Sequence, residues 1–154
     1  MIAPALVLFL LLGPAHDDPA KDHAAGVDAR GDQHMGFSHD KTTHHFLLAD
    51  DGGTVDVSAN DAADTESRDH IRMHLHHIAE AFTAGDFNLP MMIHDQVPPG
   101  VPAMKKAGSK ISYGYEETPK GAKVVIRSKD KEAVAAVHEF LRFQIKDHRT
   151  GDPQ

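Results

Sequence analysis

Twice along this chain, two short alternating segments split by a tight turn lead into a run of apolar residues at helical spacing. In the first unit His44, Phe46 and Leu48 alternate with His45 and Leu47. Asp50-Asp51-Gly52-Gly53 is a strong turn signal, and Val55 and Val57 then share one side of Thr54–Ser58. This pattern is that of a β-hairpin. Ile71, Leu75, Ile78 and Phe82 follow at i, i+4, i+7 and i+11, which predicts a helix from about Glu66 to Ala84, capped by Thr65 or Ser67 and ended by Gly85. In the second unit Ile111, Tyr113 and Tyr115 share a face, Thr118-Pro119-Lys120-Gly121 turns, and Val124 and Ile126 share the next face. A helix from about Lys131 to Lys146 then points Val134, Val137, Leu141 and Ile145 inward. Two ββα units in succession imply an α+β fold: a four-stranded antiparallel sheet with two helices on one face. Identity between the halves is slight, so a duplication is only suggested.

The remaining segments read differently. Ile2 to Leu12 is an apolar run broken only by Pro4, and Gly13-Pro14-Ala15 follows. Eleven residues do not span a bilayer but suit the hydrophobic region of a signal peptide. Residues 1–15 are therefore expected to direct export, to a bacterial periplasm or outside the cell, with no membrane anchor once cleaved. Residues 16–36 hold almost no large apolar groups and predict a disordered N-terminal tether. Residues 37–150 form the single ββαββα domain. Within it, 86–108 reads as a long connection rich in proline and glycine, of the kind that is functional or disordered.

Thirteen histidines and no cysteine make the chemistry of this chain. An exported chain without disulfides must hold itself together by its core or a bound ion. The net charge of −7 and a pI near 6.0 argue against a nucleic-acid partner. Protonating every histidine would turn −7 into +6, so the surface potential inverts in mild acid. On the first helix, His70, His74 and His77 form a column at i, i+4 and i+7, beside the core stripe. His44 and His45 must point to opposite faces of their strand, so only one can lie under the helices. His94 stands on the long connection near Met92, and His138 falls on the inward stripe of the second helix, with His148 beyond its end. Imidazole with thioether suits copper, Cu(I) above all; imidazole alone also serves Zn²⁺.

Each feature has a plainer reading. A helix flank can be polar and happen to use histidine, and a lone inward histidine is commonly a hydrogen-bonded core residue. Met91 and Met92 can be apolar anchors of a loop. His148 can be a favourable cation at a helix C-terminus. No Cys-x-x-Cys-His, His-Glu-x-x-His, phosphate loop or nucleophile elbow is present, so no reaction is indicated.

Four stretches carry a family resemblance: Met35-Gly36-Phe37 with Lys41–Phe46, Arg72–Ala79, Pro98–Pro102 and Phe140–His148. Over roughly residues 35–153 the chain resembles a family of small exported His-rich bacterial proteins without an established role. Some members bear the label aspartate carbamoyltransferase. That activity needs a far longer chain and an anion-binding Ser-Thr-Arg loop, neither of which stands here. The resemblance implies a single exported domain and no mechanism.

Two functions are expected from these residues. The first is a periplasmic transition-metal-binding protein, for copper ahead of zinc, drawing its ligands from His44, His45, His70, His74, His77, Met92, His94 and His138. The second is a non-catalytic interaction domain of the cell envelope. Its histidines would tune association with an envelope protein, or with further copies of itself, by pH.

Overall fold

The computed structural model describes residues 19–154; the expected signal peptide, and the start of the expected tether, lie outside the described residues. In chain order the elements are α1 (Pro19–Met35), β1 (Thr42–Ala49), β2 (Gly52–Ala59), α2 (Thr65–Thr83), α3 (Asn88–His94), α4 (Val101–Ala107), β3 (Ile111–Thr118), β4 (Gly121–Ser128) and α5 (Lys131–Asp147). The four strands form one antiparallel sheet in the order β1-β2-β4-β3. The two hairpins meet through β2 and β4, where Val55 pairs with Val124.

Both long helices lie on one face of this sheet, as the two-unit pattern predicts. Each packs chiefly against the hairpin of the other unit, α2 on β3 and β4, α5 on β1 and β2. The core between the layers is Phe46, Val55, Val57, Val124 and Ile126 from the strands. Ile71, Leu75, Ile78 and Phe82 fill it from α2, and Val137, Phe140, Leu141 and Ile145 from α5. One donor from each helix also ties it to a hairpin turn. Arg72 of α2 donates to the carbonyls of Thr118 and Gly121, and His138 of α5 donates through Nε2 to those of Ala49 and Gly52.

Three readings change in detail. The cap of α2 is Asp64, whose carboxylate accepts from the backbone N–H and hydroxyl of Ser67, rather than Thr65 or Ser67. The connection over 86–108 is largely helical. Pro90 and Pro102 sit in the first turns of α3 and α4, where a missing N–H costs nothing, and Ile93, Val101 and Met104 are buried. Residues 19–35, within the expected tether, form α1. Its buried stripe of Ala24, Val27, Gly31 and Met35 is made mostly of small residues, which composition alone reads as too poor to fold. Polar ties complete its docking. Arg30 Nε donates to the Ile93 carbonyl at 2.7 Å, Arg149 donates to Asp28 at 2.6 and 2.8 Å, and His23 meets Asp147 at 2.9 Å.

Candidate functional site

The fold brings histidines from four separate segments to one small cavity of about 70 Å³, lined by α1, α2, α3, α5 and the helix-side face of β1 and β2. His44 comes from β1, His74 from α2, His94 from the end of α3 and His148 from the residue after α5. Most of the remaining wall is apolar, from Phe46, Leu75, Ile78, Phe82, Ile93 and Phe140, and Met35 reaches it from the last turn of α1. At roughly 10–15 Å³ per water position, the space takes an ion with a few waters or a molecule of a few atoms. Haem does not fit it.

The rings are organised by stacking rather than by ligation. His44 and His148 lie parallel, with centroids 5.6 Å apart and planes 9° from each other. His148 meets His94 edge to face at 5.0 Å, and Phe37 meets His74 edge to face at 5.6 Å. Burial pushes His44 and His74 down to about 4, with neighbouring histidines adding a smaller push. Burial likewise takes His148 down to about 3, helped by His44 and His94. All three rings are therefore neutral at pH 7, which is the form of imidazole that binds metal.

His94 is held differently. It is 2% exposed, with Nδ1 against the Asp147 carboxylate and Nε2 against Gln144 Oε1 at 2.9 Å. Gln144 Nε2 has no partner among the described residues. Burial pushes the Asp147 carboxyl up, but its bonds to His94 and His23 outweigh this and hold it below the usual carboxylate range.

Of the residues expected from the sequence, His44, His74 and His94 reach the cavity and the others do not line it. His45 alternates onto the other side of β1, where its Nδ1 meets Asp152 at 2.8 Å; it lines an adjoining groove. His70 and His77 share a flank with His74 but stand a turn away, and His77 is exposed. His138 is occupied by the β1–β2 turn carbonyls, the plain role of an inward histidine. Met92 is 48% exposed. Two cavity residues were not among the expected ligands, His148 just past a helix end and Met35 in the segment taken for a tether.

Among the described residues, no three His, Asp or Glu side chains form an assembled ion-binding group. None of the described helices is long and apolar enough to cross a membrane. Comparison with family models, curated proteins and solved structures finds no match for the chain.

Proposed function

We propose that this protein binds a transition-metal ion in the cavity, copper foremost and zinc second, through His44, His74 and His148. The observation that carries the reading is the meeting of three neutral imidazoles, from segments far apart in the chain, on one small and largely apolar cavity. Scattered surface histidines would stay solvated and titrate near their ordinary value. Ligation requires the stacked rings of His44 and His148 to turn toward the cavity centre. His94, engaged at both nitrogens, serves as wall and orienting group. The apolar run Ile2–Leu12 supports an exported, envelope location for this activity.

Calorimetric titration of the full chain with Cu(II) and Zn(II) tests the reading. A His44→Ala/His148→Ala variant should lose affinity by on the order of tenfold or more, while His70→Ala/His77→Ala binds as the wild type does. Equal, weak binding by all three proteins removes the proposal.

The depressed histidines also support the second reading, an interaction domain switched by acid. It requires oligomeric state to differ between pH 7.5 and pH 5. Superimposable size-exclusion profiles at the two values count against it.

A further inference from the structure

Met35 brings a thioether side chain to the cavity wall from the last turn of α1. Its side chain is buried, 7% exposed, and lines the same space as His44, His74 and His148. Met92, two residues before His94, is half in solvent.

Several features of α1 bear on the place of Met35. Gly26 and Gly31 lie inside the helix, where glycine weakens it relative to alanine. A Cβ at Gly31 would stand 3.0 Å from the Met35 methyl, and one at Gly26 would stand 2.9 Å from Arg30 Nη1. Both are the far ends of flexible side chains, which can give way at little cost. Arg30 is the residue that fastens α1 to α3 through the Ile93 carbonyl. Gly36, with φ 79°, then stops the helix directly after Met35. Phe37 packs edge to face on His74. The Arg30 tie and the Gly36 stop both lie within a turn or so of Met35 and fix the end of α1 that carries it. Met35, His44 and His148 also line both the cavity and the groove beneath α1, so they stand where the two spaces meet.

We infer that Met35 is the specificity-determining ligand of the cavity, completing a His/thioether site that prefers Cu(I) to Cu(II). This rests on the reading of the cavity as a copper site. Soft sulfur favours Cu(I), whereas imidazole serves both oxidation states.

The test compares wild type, Met35→Leu and Met92→Leu as full chains. Cu(I) is titrated anaerobically against a competing chelator, Cu(II) is titrated in air, and X-ray absorption reports sulfur at the bound Cu(I). Leucine nearly conserves the volume of methionine, so the fold is retained. Met35→Leu is expected to lose sulfur scattering and roughly tenfold or more of Cu(I) affinity, with Cu(II) affinity within about twofold. Met92→Leu is expected to change neither. Cu(I)-loaded wild type without sulfur scattering, or unchanged Cu(I) affinity in Met35→Leu, overturns the inference and leaves histidine-dependent binding standing. Wild type that binds neither ion overturns the underlying reading as well.

Discussion

The rings of His44 and His148 stack 5.6 Å apart although 104 positions separate them in the chain, which joins the edge strand β1 to the end of α5. Two imidazoles in this arrangement cannot both take a proton without repulsion, and burial disfavours the charge on each.

Acid should therefore unfold the protein through these rings. In the unfolded chain each takes a proton as the pH falls below about 6.5. In the fold His44 and His74 wait until about 4 and His148 until about 3. The unfolded state binds more protons in between, so stability falls as the pH drops through that window, by at most about 1.4 kcal/mol per pH unit for each ring. His39, raised by its bond to Asp32, acts in the opposite sense, but it is well exposed and its effect is screened. Urea unfolding at pH 7.5, 6 and 5 should show a steep decline, shallower in His148→Gln. A level profile over that range would contradict the burial of these rings.

Asp147→Asn should cost about 2 kcal/mol, since the carboxylate serves two histidines and is 12% exposed. His23→Ala removes only the exposed partner and should cost under about 1 kcal/mol. Thermal unfolding of the two variants gives the order, and a reversal would place the weight of this pair on the surface bond.

His138→Ala should cost about 1–2 kcal/mol by freeing two turn carbonyls, and should leave copper binding as in the wild type. Denaturant unfolding and metal titration of one preparation check both halves. Loss of metal affinity would bring His138 into the site.

Gly100→Ala should be strongly destabilising, at about 2–4 kcal/mol. Gly100 has φ 82°, and a Cβ there would stand 2.1 Å from the Ala136 carbonyl of α5. A variant with wild-type melting temperature would show that α4 can draw back from α5.

The elements legible in the sequence were those whose period is set by large apolar residues: four strands and the helices α2 and α5. The short helices α3 and α4 were hidden because proline marks both a helix's first turn and a loop. Helix α1 was hidden because half of its inward stripe is alanine and glycine, and its attachment relies on partners far along the chain such as Asp147, Arg149 and the Ile93 carbonyl. The site was legible in part. His44 followed from alternation with Phe46, and His74 from its place beside the core stripe. His148 joins them because the β1-β2-β4-β3 order sets β1 beneath α5, and Met35 because α1 docks on partners far along the chain; no local pattern specifies either.

One contact at the sheet margin bears on how copies of this chain can assemble. Asp152 accepts a hydrogen bond from the Phe46 N–H on the outer side of β1, and Thr150 steadies its carboxylate. An incoming strand would have to evict that carboxylate before pairing along β1, whereas β3, the opposite border, pairs among the described residues only with β4. Strand addition is thereby hindered at β1 and favoured at β3, an asymmetry that suits pairing of two molecules better than growth of a filament.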